Sequence, residues 1–115
     1  MQKVDVGNSR LLQGVLDRAV LAGLGEKDSY GYDVVRRLRD QGLDSVGDAS
    51  VYGTLRRLYQ AGALNSYVVP SDEGPHRKYY GLNDRGRKTL DQSAKAWTSL
   101  SGALNKLLNG GSHKG

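Results

Sequence analysis

The chain has 115 residues, no cysteine and a formal net charge of +5. This length suits one domain with a modest core, and the absence of cysteine excludes disulfides and thiolate metal sites. No apolar stretch is long enough to span a bilayer and no signal segment opens the chain, so we expect a cytoplasmic protein.

Two helices are predicted in the first third of the chain. Apolar residues at helical spacing predict the first helix from Ser9 to Leu24. The second helix is expected to follow Asp28 or Ser29 as its N-cap and to end at Gly42.

The stretch SVYGTLRRLYQAG, residues 50–62, predicts a third helix, with Asp48 favourable at its start and Gly62 directly after its end. Its apolar stripe is formed by Val51, Leu55 and Leu58. The other side is small, hydrogen-bonding or cationic, and no acid follows either arginine at i+4. It comprises Ser50, Gly53, Thr54, Arg56, Arg57 and Gln60.

Two interpretations of this polar side remain open: a solvated helix face, or a surface offered to DNA. Gly53 sharpens the question, because glycine inside a helix costs about 0.5–1 kcal/mol relative to alanine. Close approach to a base or sugar would explain it, and so would neutral variation.

A change to β-type sequence follows the third helix. Asn65–Val69 and Arg77–Leu82 predict a hairpin with a long polar tip. Within the second strand, Arg77 and Lys78 fall on opposite faces, so at most one of them needs to face DNA.

A last helix is predicted from Asn83 or Asp84 to about Asn109, and the tail 110–115 is expected to be disordered. Its apolar seam has spacings of three and four residues, which is typical of helices that pair along their length. The seam consists of Leu90, Ala94, Trp97, Ser101, Leu104 and Leu108. Packing in a two-fold dimer would cover this seam, and packing on its own domain is the alternative.

The order of three helices and a hairpin predicts a winged helix-turn-helix. We therefore expect a mainly α fold with a small β-hairpin. The DNA-binding domain would span residues 9–82, and a long C-terminal dimerisation helix would span residues 83–109.

Catalysis finds little support in the composition. His76 and His113 are too few for an imidazole metal site, and a Ser–His–Asp relay would depend on His76 alone. No glycine-rich phosphate loop follows a predicted strand. We expect no enzymatic activity, no metal and no cofactor.

Four segments resemble the PadR family of transcriptional regulators, specifically its short branch with a single C-terminal helix. They are LLQGVLDRAVLAGL, SYGYDVVRRLR, SVYGTLRRLYQAGAL and GPHRKYYGLNDRG, and the resemblance extends from residue 11 to about 108. The chain departs from the family where Gly47-Asp48-Ala49 replaces Ser-Pro-Gly, where Gly53 replaces proline, and where Asn83 replaces threonine as an N-cap.

The resemblance implies that the third helix contacts DNA through Ser50, Tyr52, Thr54 and Arg57. In the same plan, Tyr32 and Arg36 on the second helix lie near phosphates, and Arg77 or Lys78 contributes from the hairpin. The implied function is a sequence-specific DNA-binding regulator, most simply a repressor, with double-stranded operator DNA as its partner. The alternative is a ligand-binding or protein-binding adaptor that kept the fold without reading DNA.

PadR proteins dimerise through the last helix packed with the first, and the resemblance implies the same arrangement for this chain. The expected interface consists of Leu12, Leu16, Leu90, Ala94, Trp97, Leu104 and Leu108. Trp97 is either an interface hydrophobe or, as in the multidrug-responsive branch, a residue that stacks on flat aromatic ligands. In the second case Leu16, Ala94 and Ser101 would line the pocket, and the ligand would release the repressor from DNA.

Overall fold

A computed structural model describes the backbone of residues 9–110 and the side chains of residues 13–110. The predicted side-chain role of Leu12 lies outside the described residues, and so do residues 111–115 of the tail 110–115 that was predicted to be disordered. Gly110, the first residue of that predicted tail, is instead the last residue of a helix. The elements in chain order are α1 Ser9–Glu26, β1 Ser29–Tyr30, α2 Gly31–Asp40, α3 Asp48–Gln60, β2 Leu64–Val69, β3 Arg77–Leu82 and α4 Asp84–Gly110.

A single apolar core joins α1, α2, α3 and the base of the hairpin. Val20 and Leu21 from α1, Val34 from α2, and Val51 and Leu55 of the predicted α3 stripe are all fully buried in it. The winged helix-turn-helix plan expected from the sequence is therefore confirmed, including the hairpin and the long last helix.

Glycine ends α3 as predicted. Gly62 has a φ of 84°, a left-handed conformation that side chains other than glycine rarely adopt. The Gly62 N–H donates to Tyr59 O and the Ala63 N–H donates to Leu58 O, both at 3.0 Å. This pair of bonds satisfies the last free carbonyls of the helix, and α2 ends in the same way at Gly42.

The start of α2 differs from the prediction. Asp28 and Ser29 do not cap the helix; Ser29 and Tyr30 form β1, which pairs antiparallel with Tyr80 and Tyr79 of β3. The sheet therefore has three strands in the order β1-β3-β2. A two-residue strand leaves no periodicity in a sequence, and only its distant partner makes it a strand.

The start of α3 also differs in one detail. Gly47 occupies the N-cap position and Asp48 is the first helical residue, where its charge still favours the helix N-terminus. The Asp48 carboxylate accepts a 2.6 Å hydrogen bond from Arg39, which also bonds the Val46 carbonyl. Arg39 thus holds the linker between the two helices.

Asn83 caps α4, as predicted. Its Oδ1 accepts a hydrogen bond from the Gly86 N–H at 2.8 Å, and its Nδ2 donates to Gly62 O at 2.9 Å. One side chain therefore connects the end of α3 to the start of α4. Gly86 is the buried residue of α4, and a Cβ atom there would overlap the Ala63 carbonyl oxygen.

Beyond its first turns, α4 leaves the domain, and the molecule measures 64 × 29 × 21 Å along its principal axes. Within residues 9–110, none of the helices combines the length and the apolar character that crossing a membrane requires.

Gly86→Ala should lower the free energy of unfolding by about 1–3 kcal/mol, because the added methyl group overlaps backbone that cannot move aside cheaply. Gly102→Ala is the matched control in the same helix, since open space surrounds Gly102. It should raise the free energy of unfolding by about 0.5–1 kcal/mol. Urea unfolding at one fixed protein concentration measures both, and equal effects of the two variants would contradict this account of the junction.

Candidate nucleic-acid interface

The solvent side of α3 is formed by residues 49, 53, 56 and 60, which face away from the buried stripe. Ser50 lies at its edge and is exposed, as predicted. Arg56 is exposed, and within the described part of the chain no atom lies within 4 Å of a Cβ built on Gly53. Packing among the described residues therefore gives no reason for Gly53.

The structure does not leave Thr54 on the exposed side, where the prediction placed it. Thr54 is 2% exposed, and its hydroxyl donates to Ser50 O at 2.8 Å within the helix. The hydroxyl also accepts a 3.3 Å hydrogen bond from Arg57. Helical periodicity placed Thr54 at a flank, and tertiary packing made that flank part of the buried surface.

Arg57 is held by an acid from another helix. Its guanidinium donates to Asp17 of α1 at 2.9 Å. The sequence contained no acid at i+4 from Arg57, but that spacing identifies only partners on the same helix, and Asp17 lies forty positions away. Burial raises the pKa of Asp17 more than the charges of Arg57 and Arg18 lower it. The contact fixes the direction of the Arg57 side chain.

Tyr52 lies where α3 meets the start of α2. Its ring packs directly on Gly31, where any Cβ atom would overlap the ring. Burial, followed by the nearby charge of Asp48, raises the pKa of the Tyr52 phenol. The ring remains partly exposed, so the phenol borders the solvent side of α3.

Tyr32 and Arg36 are exposed on α2, as their predicted role requires. The Arg36 guanidinium lies 5.6 Å from the centre of the Tyr32 ring. It also donates to Asp33 at 3.1 Å, and that bond raises the pKa of Arg36. Both contacts hold a permanent positive charge on this side of the helix.

The two cations of the wing lie on opposite faces of β3. The Arg77 guanidinium lies 4.7 Å from the centre of the Tyr30 ring. Lys78 Nζ lies 5.6 Å from the Tyr59 ring of α3 and 5.5 Å from the Tyr80 ring. Lys78 therefore faces α3, while Arg77 lies on the other face.

A row of three tyrosines crosses the sheet, and sequence reasoning missed it. Tyr79 faces Tyr30 and Tyr67 in register, with ring centres 5.5 and 5.8 Å apart. The Tyr67 hydroxyl donates to Asp28 at 2.6 Å. The row requires β1 in the sheet, and a two-residue strand gives no signal that would have revealed it.

A cavity of about 300 Å³ opens between α1 and α4 beside Trp97, which is 43% exposed. Ala94 and Trp97 are among the residues that line it, and Arg18 lies 5.7 Å from the centre of the indole ring. The remaining lining residues are Val15, Ala19, Ala22, Leu90 and Ser93.

Two residues predicted for this pocket lie elsewhere. Leu16 is 3% exposed and belongs to the apolar core. Ser101 lies further along α4, where its hydroxyl donates a hydrogen bond to the Thr98 carbonyl oxygen. The Leu16 prediction was wrong because α1 is apolar on more than one side. Its core side and its α4 side cannot be separated by spacing alone.

The predicted dimer seam is divided in the same way. Leu16 is in the core, and Leu90 is partly buried, packing against the core while also lining the cavity. The far half of α4 is the part left uncovered. Its large exposed apolar residues are Trp97, Leu100, Leu104, Leu107 and Leu108.

Three helices around one core, with α3 exposed beside a two-stranded wing, define a winged helix-turn-helix protein. Residues 20–92 match the family described as the Transcriptional regulator PadR-like family. The chain belongs to this family of transcriptional regulators.

Solved structures agree with this assignment. A Streptococcus transcriptional regulator is 33% identical, with 86% of this chain and 97% of that chain covered and a TM-score of 0.78. A PadR-like transcriptional regulator from Bacillus cereus strain ATCC 14579 is 30% identical, with 86% and 96% covered and a TM-score of 0.77. Bacillus subtilis PadR, solved in complex with operator DNA, shares the fold at 23% identity, with 68% and 45% covered and a TM-score of 0.61.

Proposed function

We propose that this regulator binds double-stranded operator DNA in the cytoplasm as a homodimer and represses transcription. The observation that carries the proposal is the solvent side of α3, which combines the small residues Ala49 and Gly53 with Arg56, and α3 also carries Tyr59, over which Lys78 of the wing lies. The proposed contacts are Tyr32, Arg36, Ser50 and Tyr52, with Arg57 at the edge and either Arg77 or Lys78 from the wing. A relative of the same fold, Bacillus subtilis PadR, was solved with operator DNA, which supports this choice of partner.

The cations of this surface are held in place before DNA arrives. Arg36, Arg77 and Lys78 each lie over a tyrosine ring. Ordering a long cationic side chain in advance reduces the entropy that binding must remove. Phosphates are the natural ligands of such cations, whereas bases are read from α3 in the major groove.

The operator can be sought in the promoter region of the protein's own gene. A duplex of that region should be bound more tightly than an unrelated duplex of equal length, and affinity should fall steeply with salt because phosphate contacts release counterions. Gel-shift titrations at two salt concentrations measure both properties, and deleting the gene should raise transcription from that promoter. Binding without sequence preference, lost at modest salt, would favour the adaptor alternative.

Homodimer formation is proposed from the uncovered part of α4. Four leucines and Trp97 remain exposed on it in the single chain, and Leu107 is 76% exposed. Apolar surface on a projecting helix is stabilised by burial against a second helix at roughly 25 cal/mol per Å². A two-fold dimer would place two copies of α3 about 34 Å apart, which matches successive major grooves.

Leu104→Glu should weaken the dimer at least about tenfold, because burying an unpaired carboxylate costs at least about 1.4 kcal/mol. Ser99→Glu adds the same charge to the opposite side of α4 and should leave the dimer intact. Sedimentation equilibrium measures the dissociation constant. A monomeric wild-type protein, or equal effects of the two variants, would contradict the proposed interface.

Release by a small aromatic ligand is proposed from the cavity beside Trp97. The cavity is apolar apart from Arg18 and Ser93, and an indole ring in its wall can stack on a planar ligand. A ligand wedged between α1 and α4 would change the angle between the DNA-binding domain and the dimer helix, and hence the spacing of the two α3 helices.

Trp97 is the only tryptophan of the chain and lines this cavity, so at a fixed protein concentration its fluorescence reports on ligands that bind there. Planar drugs or phenolic acids that bind there should quench its emission and release DNA. Ala94→Leu should fill the cavity and abolish quenching, whereas Ala96→Leu, an equal enlargement at an exposed position outside the lining, should not. Unchanged emission across a broad panel would leave Trp97 with a structural role only.

A further inference from the structure

Arg56 differs from the other arginines of the DNA-facing elements. Arg36, Arg57 and Arg77 each have an ion pair or a tyrosine ring as a partner. Among the side chains of residues 13–110, Arg56 has no hydrogen bond, ion pair or ring contact, and it is exposed. Its charge is therefore available to a ligand of the helix.

The surface around Arg56 is shallow. Helical side chains lean toward the N-terminus, so Arg56 extends over the turn that contains Gly53. Gly53 has no side chain and Ala49, one turn earlier, has a single methyl group. Because nothing in the described structure lies within 4 Å of a Cβ at Gly53, the notch is open to solvent.

The neighbouring arginine cannot fill the same role without losing its own contacts. Arg57 donates to Asp17 on α1 and to Thr54. Its guanidinium is turned about one quarter of the helix circumference away from Arg56. The side chain of Arg57 therefore points toward α1, whereas the side chain of Arg56 points into solvent.

We propose that Arg56 is the residue that reads a guanine in the operator and that Gly53 allows the base edge to approach the helix. Arg57 is a positioning residue that holds α3 against α1 through Asp17. Arginine can donate two hydrogen bonds to guanine O6 and N7, which distinguishes this base from the other three in the major groove. This inference rests on the proposed function.

The test uses the duplex that the full-length wild-type protein enriches from a random-sequence pool, compared with an unrelated duplex. Arg56→Ala should weaken binding to the enriched duplex about tenfold to a hundredfold and remove the preference at one G·C pair. Arg56→Lys keeps the charge but not the two-bond geometry, so it should lose the same preference with an unchanged salt slope. Arg57→Ala removes the contact that holds α3 against α1, so it should weaken binding to both duplexes by a similar factor without abolishing the preference at any single base pair.

The variant Gly53→Ala distinguishes a glycine required for packing within the protein from a glycine required for close approach of DNA. The free space around Gly53 predicts a variant that unfolds at higher urea concentration, because alanine favours the helix. The same variant should bind the enriched duplex less tightly, while its binding to the unrelated duplex changes little. A purely structural glycine would not give opposite changes in stability and specific binding.

Each outcome decides the proposal. Equal losses on both duplexes for Arg56→Ala, with a shallower salt slope, would assign Arg56 to a phosphate and overturn it. Loss of base preference in Arg57→Ala, or unchanged specific binding in Gly53→Ala, would also overturn it. A wild-type protein that enriches no sequence would overturn the proposed function itself, which makes the two failures distinguishable.

Discussion

Burial of α1 on two sides is the interaction on which the arrangement of the functional elements depends. One side places Val20, Leu21 and Leu24 in the core with α2 and α3. The other side lies along α4 and forms the wall of the cavity beside Trp97. Because one rigid helix serves both sides, the position of α3 and the direction of α4 are set together.

Adjacent residues of α1 illustrate this double role. Asp17 pairs with Arg57 of α3, while Arg18 lies over Trp97 of α4. Any movement of α4 that displaced Arg18 would act on the same helical turn that holds Arg57. The fold therefore places the proposed ligand cavity one residue away from the contacts of the DNA-facing helix.

Site residues whose positions depend on short-range sequence patterns were foreseen, whereas those whose positions depend on contacts between distant helices were not. The apolar stripe of α3, the glycine at its end and the Asn83 cap follow from short-range patterns, and the structure shows each of them. Thr54 was placed at an exposed flank, but the packing of the folded chain buries it. Leu16 was assigned outward because spacing does not say which side of an all-round apolar helix meets the core.

The wing shows the same limit in the sheet. Alternation along β3 placed Arg77 and Lys78 on opposite faces, and the ring contacts show them there. The tyrosine row across the sheet was not foreseen, since it needs β1, a strand of two residues whose hydrogen bonds go to a partner fifty positions away. Register between distant segments is a property of the folded chain and not of either segment.

The sequence by itself determined the family, the order of the four helices and the hairpin, the glycine ends of α2 and α3, the Asn83 cap and the polar character of one side of α3. These depend on periodicity, on capping residues and on the left-handed conformation that glycine permits, all of which act within a few residues. Only the tertiary structure decided that Arg57 is held by Asp17, that Arg56 faces solvent over the notch at Gly53, and that a cavity opens beside Trp97. Those facts require two helices to approach each other, and the distance between helices is fixed by the packing of the whole core.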